Sequence, residues 1–525
     1  MNVIQADLAQ AAITIRNPAT QEMVGTVPIF SASEIAAAVE RAGAAQEQWA
    51  RTPIGDRLKV IRRFQSLLCE QKEAVAAVIT REAGKPLAEA LSTEILVVLD
   101  AAQYLLNHAA EFLLPERVPH GNPVMKLKKG VLLREPYGVI GIISPWNYPF
   151  SLPSIQTLTA LVTGNAVVLK PSEFTPFSSL ELQRLLRQAG LDDDLMQVVT
   201  GEGPAGGALL QANIGKMVFT GSVATGRKVA QSAAAKLLPI VLELGGKDPM
   251  IVLEDADVNV ASSAAVWGAF MNSGQTCLSV ERCYVHNSIY QKFLDACVAK
   301  AGRLRQGSGE SGAADLGPMI HERQLETVQR HVDDAIARGA RLLLGGKPSR
   351  ELGPNFFQPT ILADVTHDMD LMREETFGPV LPVCSFSSED EAVALANDSE
   401  FGLAASIWTR DKRRGEALAR RIHAGTVMVN DVVACFGISE APHGGVRMSG
   451  IGRTHGRYGL EEMVWPKYVD SDRMPQMKKL WWYGYGPAFQ QQMSGYIELL
   501  FAKNLIKRIR GAVKSTRSFL LRRPL

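Results

Sequence analysis

Gly138-Val139-Ile140-Gly141-Ile142-Ile143-Ser144 is an apolar run without alternation, followed by Ala166-Val167-Val168-Leu169-Lys170, Met196-Gln197-Val198-Val199-Thr200 and Lys216-Met217-Val218-Phe219-Thr220. Helix-like segments of roughly ten to twenty residues separate these runs. Continuous β-branched strands alternating with helices predict a parallel sheet covered on both faces. A second series begins at Pro249-Met250-Ile251-Val252-Leu253 and includes Arg341-Leu342-Leu343-Leu344-Gly345-Gly346 and Leu381-Pro382-Val383-Cys384-Ser385-Phe386. The predicted fold is therefore α/β, with two doubly wound parallel-sheet domains meeting near Gly245-Gly246.

Upstream, an alanine-rich helical pattern from Ser33 is interrupted at Thr52-Pro53, and a second helix starts near Asp56. An amphipathic run from Leu87 to Leu114 precedes Pro115, and Val124 to Glu135 alternates as an exposed strand or hairpin would. The 525 residues suffice for two or three domains, and 46% hydrophobic with 21% charged residues excludes disordered and collagen-like classes. Six cysteines, Cys69, Cys277, Cys283, Cys297, Cys384 and Cys435, contain no CxxC pair, so neither a zinc site nor a disulfide scaffold is expected. None of the nine histidines has metal-like or triad spacing, and no metal is predicted. The first thirty residues lack a basic segment followed by an apolar core, so no signal peptide and a cytoplasmic location are expected.

A net charge of +2 argues against a general nucleic-acid binder, but the charge is uneven. From Ser471 onward, eleven Lys and Arg face only Asp472 and Glu498, giving +9 and leaving −7 for the first 470 residues.

Two motifs carry chemistry. Ser273-Gly274-Gln275-Thr276-Cys277 follows the apolar Val266-Trp267-Gly268-Ala269-Phe270, and a cysteine after small polar residues suits a nucleophile in a cleft. Leu242-Glu243-Leu244-Gly245-Gly246-Lys247 puts one carboxylate in an apolar strand end, where a buried acid is poised as a base. Each has a plainer reading alone: a lone cysteine is commonly a small buried hydrophobe, and Glu243 would serve as a helix cap or a partner for Lys247.

Together with Pro145-Trp146-Asn147-Tyr148-Pro149, Lys170-Pro171-Ser172-Glu173, Phe219-Thr220-Gly221-Ser222 and Glu374-Glu375-Thr376-Phe377-Gly378-Pro379-Val380, these motifs resemble the NAD(P)-dependent aldehyde dehydrogenase superfamily over roughly residues 15 to 470. The resemblance implies that Cys277 adds to an aldehyde and that Asn147 and the Cys277 backbone N–H hold the oxyanion. Glu243 would then activate the water that hydrolyses the thioester. For the cofactor it implies Ser144, Pro145, Trp146, Lys170, Ser172, Glu173, Gly221, Ser222, Gly226, Leu244, Gly245, Glu375 and Phe377. Phe219 to Gly226 ends a strand and opens a helix, which suits pyrophosphate although it is not the GxGxxG fingerprint. Glu173 favours NAD by accepting from a 2′-hydroxyl and repelling a 2′-phosphate, with NADP left open by Lys170. Thr376 stands where an aliphatic residue is common, and little effect is expected.

The implied organisation is a cofactor domain from residues 1–122 and 136–243, oligomerisation strands at 123–135 and 461–470, a catalytic domain at 244–430, a return loop at 431–460 and a basic extension at 471–525. A homodimer or homotetramer follows by the same resemblance. Cys283 in a strand-like run reads as core, Cys435 and Phe436 by the resemblance as a loop at the mouth for a hydrophobic aldehyde or else as loop packing, and His443 to Arg453 as a structural connection. In the extension, an aromatic cluster at Trp481 to Tyr485 precedes a predicted amphipathic helix from Tyr496 to Lys514, carrying Ile497, Leu500, Phe501, Leu505, Ile509 and Val513. Residues 481–525 read either as a peripheral membrane contact or as cover for a neighbouring subunit. A catalytically silent scaffold, a semialdehyde dehydrogenase and a CoA-acylating relative are the rival functions. The last would not need Glu243, and no arginine stands out as a clamp for a substrate carboxylate.

Overall fold

A computed structural model describes residues 11–479 and 481–521. Residues 1–10 of the stretch read for a leader, and Leu480 and residues 522–525 of the basic extension, lie outside the described residues. The chain divides into two compact units, Met1–Leu114 with Arg134–Pro466, and Pro115–Leu133 with Lys467–Leu525.

The first unit holds two large sheets. One has six strands in the order Gly450–Ile451, Ile240–Glu243, Lys216–Thr220, Val139–Ile143, Ala166–Lys170, Met196–Val198. Val139–Ile143 and Ala166–Lys170 are almost wholly buried, which is why their sequences do not alternate. From Val139–Ile143 the chain builds outward to Met196–Val198, then returns to place Lys216–Thr220 on the other flank. Strand order therefore reverses beside Val139–Ile143, and the loops Ser144–Asn147 and Gly221–Ser222 leave the carboxyl ends on either side of that switch, where ligands of open α/β sheets bind. The helix Ser151–Val162, buried throughout, covers this sheet. Gly450–Ile451 pairs antiparallel with Ile240–Glu243, so the return loop adds an edge strand to the expected parallel set.

The second sheet has seven strands in the order Arg341–Leu344, Thr360–Ala363, Val380–Phe386, Val280–His286, Asp248–Val252, Ala404–Trp408, Thr426–Val429. Arg341–Leu344 departs from the predicted parallel series. It pairs antiparallel with Thr360–Ala363, because no helix lies between the two strands to carry the chain back across the sheet. The helices Ala32–Arg51 and Ile54–Glu70 break at Thr52-Pro53 as expected, the first opened by a Ser31/Glu34 capping box. The run from Leu87 is helical to Phe112 but includes a π-helical turn, Ala90–Ile95, of the kind that re-aims side chains near functional sites.

The second unit is built on a three-stranded sheet, Val464–Asp472, Lys128–Pro136, Glu116–Val118. The alternating stretch from Val124 begins instead as a 3-10 turn, Pro123–Leu127, capped by the Asn122 side chain. The strand expected from residue 461 starts at Val464, after the helix Gly456–Glu462. The single helix expected from Tyr496 to Lys514 is two, Pro487–Phe501 and Leu505–Leu521. Ala502 is extended, and the Asn504 side chain accepts from the Ile506 N–H at 2.8 Å, which ends one helix and opens the next.

Candidate active site

Glu243 closes a strand of the first sheet, while Cys277 lies just before the strand Val280–His286 of the second. Cys277 lines two cavities at once. One, of about 250 Å³, is bounded by Pro145, Trp146, Asn147, Thr220, Gly221, Ser222, Glu243, Leu244, Gly245, Glu375 and Phe377. The other, of about 440 Å³, is walled by Leu96, Val97, Tyr148, Leu152, Trp267, Met271, Leu278, Val433 and Phe436. Its sole charged lining residue is Asp100, which accepts from the Ser439 hydroxyl at 2.6 Å.

The cysteine loop is bent by unusual backbone. Asn272, Ser273 and Gly274 all have positive φ (51°, 55° and 72°), a run that costs conformational energy and persists only when its surroundings over-determine it. The Ser273 hydroxyl donates to the Gly317 carbonyl at 2.7 Å, and the Ile320 N–H donates to Gln275 Oε1 at 2.8 Å. A Cβ on Gly274 would lie 2.0 Å from the Gly378 carbonyl oxygen, so only glycine lets this loop close on the segment that carries Glu375 and Phe377.

Asn147 Nδ2 donates to the Gln275 carbonyl at 3.0 Å, and its own carbonyl accepts from Lys85 Nζ at 2.8 Å and Asn272 Nδ2 at 3.0 Å. Lys85 is fully buried and paired with Glu94 at 2.7 Å. Glu94 in turn accepts from the N–H groups of Phe150 and Ser151, fixing the first turn of the helix that follows Asn147. These supports behind Asn147 were invisible in the sequence, where Lys85 and Glu94 look like surface residues of an amphipathic run.

Glu243 is buried, and burial lifts its carboxyl from the ordinary range to about 7, opposed by a hydrogen bond from the Thr454 hydroxyl at 2.6 Å. His455 Nδ1 lies 3.0 Å from the same hydroxyl, and His443 Nε2 is 4.0 Å from the other carboxylate oxygen. Burial holds His443 down at about 4 and His455 at about 3, so both imidazoles are neutral at physiological pH. The plainer reading of Glu243 fails on geometry. Lys247 pairs with Glu281, and that carboxylate also accepts from the N–H groups of Thr376 and Phe377 at 2.9 Å.

Cys277 is half-buried, and burial followed by the nearby Asp248, Glu375 and Glu243 carboxyls pushes its thiol well up. Glu375 is itself pushed up by burial and then by Glu281, and accepts from the Gly246 N–H at 3.2 Å. A Cβ on Gly245 would meet Glu375 at 2.4 Å, which explains the glycine. Thr376 is buried and tied to His331 at 3.2 Å, so a hydroxyl here has a partner that an aliphatic side chain would forgo.

Of the remaining expected cofactor residues, Ser144, Lys170, Ser172 and Glu173 form a second group on adjacent strand ends. The Ser144 N–H donates to the Lys170 carbonyl at 3.2 Å, and Lys170 Nζ approaches Glu173 at 3.5 Å. Burial pulls the Lys170 amine down, with Glu173 opposing. Ser222 caps the helix Val223–Ala234, and Gly226 packs so closely that a Cβ would lie 2.5 Å from Leu244. A helix amino end, a carboxylate beside a lysine, and a buried acid with an aromatic ring together form a donor set that could hold pyrophosphate, one ribose and the other. Gln324, Thr327 and Leu403, not singled out in the sequence, also line the cavity of about 250 Å³, as does His443, expected only as part of a structural connection. Cys283 is buried in its strand, as expected of a core residue. Among the described residues no group of three or more His, Cys, Asp or Glu could hold a metal.

The profile of the aldehyde dehydrogenase family matches residues 5–469. A Mycolicibacterium smegmatis protein named for succinate semialdehyde and NADP(+) is 40% identical over 450 residues, 86% of each chain. A Methylomonas 4,4'-diapolycopene aldehyde oxidase is 38% identical over 508 residues, 96% of this chain and 94% of that one, an extent that passes beyond residue 470. The crystal structure of an NAD-dependent aldehyde dehydrogenase from Sinorhizobium meliloti superimposes with a TM-score of 0.86 at 37% identity, covering 90% of this chain and 93% of the other. With that fold and this likeness over nearly its whole length, the chain belongs to the aldehyde dehydrogenase family.

Proposed function

We propose that this enzyme oxidises a hydrophobic aldehyde, aliphatic or aromatic, to its carboxylate, with NAD as the acceptor. The observation that carries the proposal is that Cys277 lines both the cavity that holds Asn147, Glu243 and Glu375 and the more apolar cavity beside it. The Cys277 thiol gives up its proton to water of the site as its sulfur adds to the aldehyde carbon, and the Asn147 amide with the Cys277 N–H steadies the oxyanion. Bound NAD supplies the hydride acceptor. Glu243 takes the proton of the water that hydrolyses the Cys277 thioester, a step that a CoA-acylating enzyme would not need and a silent scaffold would have no use for. A homodimer or homotetramer using the strands at 123–135 and 461–470, a cytoplasmic location and a peripheral membrane contact through 481–525 complete the proposal.

The apolar cavity argues for the substrate class. A succinate semialdehyde carboxylate would meet mostly aliphatic and aromatic walls, the hydroxyl residues Ser92, Thr93 and Thr276 and the like charge of Asp100, with no Lys or Arg among the lining residues. In a series of straight-chain aldehydes followed by NADH formation, kcat/KM is expected to rise roughly three-fold to four-fold per methylene until the cavity is filled. Succinate semialdehyde should fall about ten-fold or more below an aldehyde of equal length. A preference for succinate semialdehyde would sink the hydrophobic assignment.

Glu173 supports NAD over NADP, since its carboxylate would repel a 2′-phosphate while Lys170 beside it would not. Glu173→Ser is expected to shift the NADP to NAD ratio of kcat/KM by about ten-fold or more towards NADP. An unchanged ratio would place cofactor choice elsewhere.

A further inference from the structure

The second unit ends in a helical hairpin packed in the opposite sense to a soluble one. Pro487–Phe501 and Leu505–Leu521 cross at Gly495 and Gly511, where a Cβ on either glycine would lie 2.6 Å from the carbonyl oxygen of the other. Backbone lies against backbone there, and the buried residues of the two helices, among those described, are Gln492, Gly495 and Gly511, none of them large and apolar. Large apolar side chains are displaced outward, and Ile497, Phe501, Leu505, Ile506, Ile509 and Val513 are each more than half exposed, Phe501 by 76%. Glycine at the crossing and aliphatic residues outside is the distribution of helices that face lipid.

At helical spacing Leu505, Ile506, Ile509 and Val513 fall in one sector of roughly 100°. Lys507, Arg510 and Arg517, all exposed, fill the sector beside it, while Lys514 turns back to Ser494 at 2.8 Å. Charge selects the occupant. Glu498 is the one acidic residue in the two helices and already has Lys514 at 3.8 Å. A second copy of the hairpin would set cations against cations, whereas an anionic bilayer offers phosphates to the basic sector and acyl carbon to the apolar one. No helix among the described residues is long and apolar enough to cross a membrane, so the arrangement suits lying on one. Trp481 and Tyr485, exposed by 37% and 63%, precede the first helix and suit the same interface.

We infer that the hairpin docks on an anionic phospholipid surface, with Phe501, Leu505, Ile506, Ile509 and Val513 in the boundary between headgroups and acyl chains and the basic sector at the phosphates. This rests on the peripheral-membrane part of the proposed function and not on its chemistry.

The test is cosedimentation of the full chain with vesicles of pure phosphatidylcholine and of phosphatidylcholine with roughly one-third phosphatidylserine. Binding to the anionic vesicles is expected to exceed that to neutral ones by about ten-fold or more and to collapse in about 1 M salt. It should fall about ten-fold in Lys507→Glu with Arg510→Glu and likewise in Phe501→Ser with Ile509→Ser. Absence of binding by the unmodified chain, or equal binding to both vesicles, overturns the inference. So does an apolar variant that binds vesicles normally but has a smaller oligomer by light scattering, since the face would then cover a neighbouring subunit. NADH formation from a water-soluble aldehyde, measured without vesicles, should be unchanged in these variants. Its absence from the unmodified enzyme would count against the proposed reaction and not against the membrane surface.

Discussion

Cys277→Ala is expected to abolish aldehyde-dependent NADH formation, a loss on the order of 10⁴-fold or more, while NAD binding followed by fluorescence titration stays within about two-fold. The size of the loss follows from the absence of a substitute. Cys435, in the loop beside the apolar cavity, is buried and lines neither cavity, so its sulfur is out of reach of a substrate held against Cys277. Cys283 and Cys297 are buried in the second sheet and the helix Tyr290–Ala301. Of the cysteines among the described residues, only Cys277 lines either cavity. The substitution deletes a single sulfur from a half-buried position and leaves the loop's hydrogen bonds through Ser273 and Gln275 intact, so an unchanged circular dichroism spectrum should accompany the loss. Activity within ten-fold of the parent enzyme would refute the nucleophile.

What the sequence revealed and what it hid divide along a physical line. Strands buried on both faces, such as Ala166–Lys170, announce themselves as unbroken apolar runs, and residues within a few positions of their ends, Asn147, Glu173 and Ser222, could be placed with them. Edge strands such as Arg341–Leu344 have the same composition, and their direction depends on whether a helix follows, which pattern does not display. The partners behind the site were illegible for another reason. Thr454 reaches back 211 residues to Glu243, and Lys85 reaches Asn147 across 62, contacts that no local spacing encodes. The hairpin in the basic extension hid in the same way, because the periodicity runs through Ala502–Asn504 without a proline or glycine and the crossing of Gly495 on Gly511 is a tertiary fact. Local motifs and the family resemblance thus pointed to the proposed reacting groups, while the contacts around them came only with the fold.

Glu243→Gln is expected to lower kcat by roughly 10²-fold to 10⁴-fold, the usual contribution of a positioned base, and to let an acyl adduct accumulate on Cys277 that intact-mass measurement detects. The pH profile makes the assignment specific. A base acts in its ionised form, and burial raises Glu243 to about 7, so kcat should climb as pH rises through about 7 and only about a tenth of the base is available one unit below. His443 and His455 do not supply this limb, since burial keeps both neutral down to about pH 4. Glu375 is also raised, yet it remains in the variant, so disappearance of the limb in Glu243→Gln identifies its owner. Thr454→Val gives the sign an independent check. Its hydroxyl donates to the Glu243 carboxylate and favours the charged form, so removing it should move the midpoint to higher pH, while Thr454→Ser restores it. A side chain that merely filled space would alter stability but leave the midpoint in place. A limb unchanged in both Glu243→Gln and Thr454→Val would mean that the water is activated by some other group.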